Sequence, residues 1–204
     1  MPNNTTPSNA HAAWPVKSSE TVDGATVAPS SVEKEEKKRL GREGEDKLND
    51  WFKSQKVAYV AVCQRPDTFA PMFSGTTKRP DFMLLLEGVG MIAVDAKNCA
   101  LRQGDRFTLA KERELKLSVN FERLFRMPLW YAYRNNADEH SPWYWISALK
   151  AIEVGEDAGK QGGEIYLSIK LEHFERMDTA ADLAKLFTHR MPSYAKVSAL
   201  PLKS

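Results

Sequence analysis

The amino-acid sequence predicts an α/β sandwich in which helices flank a central sheet, and three observations carry that expectation. A long helix-forming run stands first, short apolar runs of strand-like pattern follow, and helical and strand-like segments alternate from there to the end. The chain has 204 residues and a mass of 23.0 kDa, enough for one domain with a sizeable core. Its 42% hydrophobic and 27% charged residues are those of an ordinary globular protein. A net charge of +2 neither demands nor excludes a polyanionic partner, because local clustering of Lys and Arg decides that.

Residues 1–32 are rich in Asn, Thr, Ser, Pro and Ala and lack periodicity, so they bury too little apolar surface to offset the entropy of ordering. A disordered tail is expected there. The run SSVEKEEKKRLGREGEDKLNDWFKSQK offers Ser31 as a cap, acids in its first turn, and one stripe of Leu40, Gly44, Leu48, Trp51 and Phe52 to bury. VAYVAVCQ reads as a strand, and RPDTFAPMFSGTTKRP, rich in Pro, Gly and Thr, as a loop. A hairpin comes next, then RFTLA as a strand, KERELKLSVNFERLFRM as a helix and PLWYAYRN as a strand. After the turn NADEHSP, WYWISALKAI suits a strand or a short helix, VGEDAGKQGG a loop, EIYLSIKL a strand and DTAADLAKLFTHRM a helix. The folded domain is placed at residues 33–190, with a loose tail at 191–204.

Several function classes drop out. Cys63 and Cys99 are the only cysteines and lie in no Cys-x-x-Cys spacing, which leaves neither a disulfide framework nor a zinc site and points to a reducing, cytoplasmic setting. His11, His140, His173 and His189 are scattered with no His-x-x-x-His pair, against a zinc hydrolase built on imidazoles. No apolar run approaches the ~20 residues of a spanning helix, and no basic segment with an apolar core opens the chain, so neither a membrane anchor nor export is expected.

The chemistry gathers on the hairpin, KRPDFMLLLEGVGMIAVDAKN, residues 78–98. Side chains alternate along a strand, so Asp95 and Lys97 share a face with Ala96 between them. A three-residue loop at Gly88-Val89-Gly90 pairs Glu87 with Met91, Met83 with Asp95 and Asp81 with Lys97, which adds Asp81 to that face. A two-residue loop pairs Asp81 with Ala96 and turns it to the other face. Two carboxylates this close repel unless a cation lies between them or one is protonated. Oxygen ligands of this kind suit Mg2+ or Mn2+, and the lysine beside them serves to orient an attacking water or to meet charge on a phosphate. Carboxylates, a hard metal and a cation are what phosphodiester hydrolysis requires.

Arg79-Pro80-Asp81, thirteen further residues and Asp95-Ala96-Lys97 resemble the Pro-Asp…Asp-x-Lys signature of the PD-(D/E)XK nuclease superfamily. The surroundings are similar too, with Gly41-Arg42-Glu43-Gly44-Glu45 on the helix before the hairpin, and a helix and the PLWYAYRN strand after it. Over roughly residues 38–135 the chain looks like small Holliday-junction-resolvase-like nucleases. The resemblance implies a restriction-endonuclease-like fold, a central mixed β-sheet flanked by helices. It implies a metal-dependent DNA endonuclease that hydrolyses phosphodiester bonds through a metal-bound water, acting on branched or otherwise structured DNA, for which two active sites and hence a homodimer are needed. Asp81 and Asp95 would hold Mg2+ or Mn2+, the carbonyl of Ala96 would add a ligand, Glu45 one more acid, and Lys97 would position the water or meet the developing charge. The helical wheel agrees on Glu45, which lies about 20° from Phe52 at the edge of the buried stripe, while Glu43 points away. Asp81→Ala or Asp95→Ala is expected to lower cleavage by at least about a hundredfold with the fold intact.

Lys78 and Arg79 stand immediately before Asp81, where an entering phosphate backbone would pass, and are the expected nucleic-acid contacts. Lys34, Lys37, Lys38, Arg39 and Arg42 are interleaved with Glu33, Glu35 and Glu36 and read as a solvated helix face. Trp130, Tyr131, Trp143, Tyr144 and Trp145 at strand spacing read as core. The rival to the enzyme is a non-catalytic module on the same fold, binding nucleic acid or protein within a larger assembly.

Overall fold

The computed structural model describes residues 31–68, 70–87, 90–161 and 163–188. The tail expected at 1–32 lies outside the described residues except for Ser31 and Val32, which open the first helix, and the tail at 191–204 lies outside them altogether. That helix, α1 (Ser31–Ser54), buries its expected stripe. Leu48 and Phe52 are fully buried against Phe82, Leu84, Val94 and Trp145, and the Phe52 ring meets Phe82 edge-on at 5.3 Å. Burying a side chain of this size contributes about 1.5–3 kcal/mol, so α1 is held by its stripe rather than by helix propensity alone.

A six-stranded mixed sheet forms the centre, in the order β1 (Tyr59–Ala61), β2 (Phe82–Leu86), β3 (Gly90–Asn98), β5 (Leu129–Arg134), β6 (Trp143–Ser147), β9 (Glu175–Met177). Among the described strands of this sheet only β3 and β5 run parallel. Parallel neighbours need a crossover, and here it is β4 (Arg106–Ala110), a π-helical turn at Lys111–Lys116 and α2 (Leu117–Phe125). Helix, hairpin, helix and parallel strand thus follow in the order that the resemblance implies. Alternation splits the core in two: Ile92, Val94, Trp130, Ala132, Trp143 and Trp145 face α1, while Ala93, Leu129, Tyr131, Tyr133 and Ile146 face α2. The aromatic residues at strand spacing are therefore core, with Tyr144 alone of the five only partly buried.

Four expectations change. The hairpin pairs Leu85 with Met91 and Met83 with Ala93, two residues from the anticipated register, and pairing runs on to Leu86 and Gly90. Gly90 is a strand residue with φ 118°, a conformation that favours glycine, so it does not belong to the turn; Gly88 and Val89 lie outside the described residues. A slip of two preserves the face of every side chain, so Asp81 keeps the side of Asp95 and Lys97. WYWISALKAI is both strand and helix, since Ser147 ends β6 and caps α3 (Ala148–Val154) by accepting a hydrogen bond from the Lys150 N–H. VGEDAGKQGG is not a loop: Glu156–Gln161 forms β7, which pairs with β8 (Glu164–Lys170) and, through it, β4 in a second, three-stranded sheet. All six β7 residues are exposed, so no apolar alternation marked the strand. The closing helix expected from Asp178 begins as a 3-10 turn at Ala180–Leu183 and continues as α4 (Ala184–Thr188), beyond which the described residues end.

The two glycines of Gly41-Arg42-Glu43-Gly44-Glu45 differ in their task. A Cβ on Gly44 would lie 2.7 Å from the Asn98 Cβ, whereas one on Gly41 would meet nothing within 4 Å. Gly44 is where α1 and β3 touch, and the Asn98 side chain ties them further by donating to the Leu40 carbonyl at 3.1 Å. Gly44→Ala is therefore expected to destabilise by about 1–3 kcal/mol, and Gly41→Ala to be neutral or stabilising by up to about 1 kcal/mol. Thermal denaturation of both variants checks this, and equal effects would contradict the close approach.

Candidate active site

β3 is apolar as far as Val94 and then places a carboxylate where the core continues. Asp95 is 1% exposed. Such a charge persists in the interior only with partners, and it has two: Lys78 Nζ at 3.1 Å from Oδ1 and Lys97 Nζ at 2.6 Å from Oδ2. Both ammonium groups also donate to Oε2 of Glu114, each at 2.7 Å. The four side chains close a ring of alternating charge. Glu114 comes from the π-helical turn before α2, and Lys78 is carried in by its own backbone N–H, which donates to the Leu117 carbonyl at 3.0 Å. The ammonium of Lys97 lies 5.7 Å from the centroid of the Tyr131 ring, whose hydroxyl donates to Ser118 Oγ at 2.7 Å.

Asp81 joins the site from the start of β2. Its Oδ2 accepts from the Ala96 N–H at 2.8 Å, and its Oδ1 from Gln64 Nε2 at 3.3 Å, while the same Gln64 nitrogen donates to the Pro80 carbonyl at 2.9 Å. Burial, then the charges of Asp95 and Glu45, push the Asp81 carboxyl well above the usual range. Glu45, half-buried on α1, is raised by burial first and then by Asp95 and Asp46. Glu43, by contrast, is held below the usual range by Lys47 and pairs with Arg39 and Lys47 on the solvent side of the helix. For the two lysines burial works against the charge, yet Asp95 and Glu114 outweigh it and hold both ammonium groups above their ordinary value, Lys97 far above. Glu114 responds in kind: burial would raise it, but Lys97 and Lys78 bring it down to about 2.

Glu45, Asp81, Asp95, Ala96 and Lys97 are thus brought together. Lys78 also belongs to this cluster, its side chain turned inward to Asp95 and Glu114. Arg79 turns away to the loop after β1, donating to the carbonyls of Cys63, Gln64 and Arg65 and to Thr68 Oγ1. Two site residues had not been singled out from sequence. Gln64 ends an apolar run with nothing to distinguish it, and in KERELK no local pattern separates Glu114 from Glu112.

Among the described residues no group of three His, Cys, Asp or Glu side chains is spaced to hold a metal ion. The donor chemistry nevertheless fits a hard divalent cation. Asp81 and Glu45 are both pushed up by burial and by the charge of Asp95, a load that a cation relieves. Mg2+ needs only one or two carboxylates and completes its shell with water and substrate phosphate.

No protein-family model matches the chain, and no curated protein matches it. Among solved structures it is similar to Hjc, a Holliday junction resolvase from the archaeal hyperthermophile Archaeoglobus fulgidus, with a TM-score of 0.43 and 15% identity over 66% of this chain and 91% of that one. It is similar also to D212, a nuclease from a fusselovirus, with a TM-score of 0.39 and 14% identity over 81% of this chain and 99% of that one.

Proposed function

We propose that the protein is a metal-dependent DNA endonuclease that hydrolyses phosphodiester bonds. The observation that carries this is the convergence of Asp81, Asp95 and Glu45 with Lys97 at one partly buried site, since a site that only bound DNA would gain nothing from carboxylates beside phosphates. Asp81, Asp95, the Ala96 carbonyl and Glu45 would hold Mg2+ or Mn2+. When bound, such an ion polarises the phosphate and lowers the pKa of water. Lys97, kept cationic by Asp95 and Glu114, is suited to meeting negative charge on the phosphate rather than to taking a proton from water. Glu114 fixes where that charge stands. Branched DNA is the substrate we favour, in which case two copies act together.

A specific feature favours the rival, a binding module without turnover: both oxygens of Asp95 are already met by lysines, so its charge is balanced within the protein. Asp81→Asn separates the two. The amide can still accept from the Ala96 N–H and removes a charge that burial and two neighbouring acids disfavour. The variant is expected to melt at or above the wild-type temperature yet cut plasmid and four-way-junction DNA at least about a hundredfold more slowly in Mg2+ or Mn2+, roughly 3 kcal/mol of barrier. Undiminished cutting by the purified variant removes the nuclease assignment, and a wild type that neither cuts nor takes up Mg2+ by calorimetry gives the lead to the binding module.

A further inference from the structure

We propose that a basic cleft beyond the end of β3 is a second phosphate site, which holds the nucleic-acid backbone a few nucleotides from the bond to be cut. The proposal rests on the nuclease reading and extends it to a surface outside the carboxylate cluster. Lys37 of α1, Arg102 and Gln103 of the turn after β3, Lys160 of β7 and Ser168 of β8 line one cavity of ≈ 530 Å³. Among the described residues no carboxylate lines it.

Its cations belong to the smaller set without an ion pair or side-chain hydrogen bond among the described residues, which also includes Arg42, Lys56, Arg123 and Arg126. Along the surface most Lys and Arg side chains are answered within the protein: Lys38 by Glu35, Arg39 by Glu36, Lys111 by Asp157 and Lys116 by Glu112. Lys37, Arg102 and Lys160 make no ion pair or side-chain hydrogen bond among the described residues, although Lys38 and Arg39 follow Lys37 directly. The solvated helix face expected of the start of α1 is thus divided, with Lys37 turned to the cleft. The acids nearest in sequence to Lys160 are engaged elsewhere, Glu156 with Arg106 at 2.7 Å, Asp157 with Lys111 at 3.4 Å and Glu164 with Arg113 at 3.3 Å. The backbone also departs from regularity at this cleft: Gln103 has φ 51° and Gly104 φ 83°, Gly159 has φ 91°, and a β-bulge lies between Asp157 and Lys160. A bulge re-aims the side chain that follows it.

Position ties the cleft to the candidate site. Lys37 precedes Glu45 by eight residues on one helix, about 12 Å of rise. Asn98, bonded to the Leu40 carbonyl between them, is next to Lys97 and leads into the turn that bears Arg102. A rise of about 3.4 Å per nucleotide puts roughly four nucleotides of a duplex strand across that span. Three charges with amide and hydroxyl groups suit the phosphodiester backbone of any sequence, and Tyr166, the aromatic residue among the described lining residues, has its hydroxyl engaged by Arg113 at 3.4 Å.

The test is the salt dependence of binding in the absence of divalent metal, which needs no turnover. A labelled duplex and a four-way junction are titrated by anisotropy between 50 and 200 mM salt, with wild type and with the triple variant Lys37→Ala, Arg102→Ala, Lys160→Ala, all three side chains being exposed. The slope of log Kd against log salt is expected to fall by about 0.9 for each cation removed, with affinity at the lowest salt weakened tenfold or more. An unchanged slope overturns the cleft even if the wild type cuts DNA, whereas a changed slope supports it even if nothing is cut. Inorganic phosphate that binds the wild type by calorimetry, with the DNA slope unchanged in the variant, marks a small-anion site and also overturns the proposal.

Discussion

Asp95→Asn is expected to lower DNA cleavage by at least about a hundredfold and to lower the melting temperature too, on the order of 10 °C. The loss of rate follows from removing a central carboxylate of the site. The loss of stability follows from what Asp95 leaves behind. It is 1% exposed and meets Lys78 at 3.1 Å and Lys97 at 2.6 Å, so its removal strands two buried ammonium groups on a single remaining acid, Glu114. Breaking a buried pair from one side costs about 3–5 kcal/mol, and a domain of this size loses about 2–4 °C per kcal/mol. The expectation from sequence that either aspartate could be removed with the fold intact therefore changes for Asp95 and is kept for Asp81. Thermal unfolding beside the cleavage assay checks it. A variant that melts within about 1 °C of wild type would mean that the ring of charges does not hold the sheet to α2.

Glu114→Gln is expected to cost about 3 kcal/mol at pH 7 and nothing near pH 2. The folded carboxyl is brought from 4.5 down to about 2 by Lys97 and Lys78, and a tenfold change in its proton affinity is worth about 1.4 kcal/mol. A depressed acid contributes its stability above the unfolded pKa and loses it as pH falls through the folded one. The gap between wild type and variant should accordingly be constant above about pH 5.5 and close between about pH 4.5 and 2. Asp81 and Glu45 act in the opposite sense, since their raised values make stability fall as pH rises through the carboxylate range, but both proteins carry them and their effect largely cancels in the difference. Urea denaturation of the pair at several pH values measures the gap. If none appears at pH 7, Asp95 alone suffices for both lysines, and Glu114 has no part in placing Lys97.

How much of this was legible beforehand divides along a physical line. Asp95 and Lys97 could be set on one face because strand alternation is a local period of two, and Asp81 joined them only with a three-residue loop, a placement that survived a hairpin register off by two residues. Glu45 could be preferred to Glu43 because the helical period is local too, and the stripe through Leu48 and Phe52 fixed which side of α1 is inside. The partners of the buried charges were not legible. Glu114 reaches Lys97 across 17 positions and Lys78 across 36, and Gln64 reaches Asp81 across 17. No period spans such distances, and they are set by where the π-helical turn and the loop after β1 come to rest on the sheet. The second sheet was hidden for a related reason: β7 is exposed throughout and is a strand only because β8 supplies its hydrogen bonds. Periodicity in the sequence decided which residue types share a face. Tertiary packing decided which charges meet, because a buried carboxylate must find its counter-charge wherever in the chain the fold delivers one.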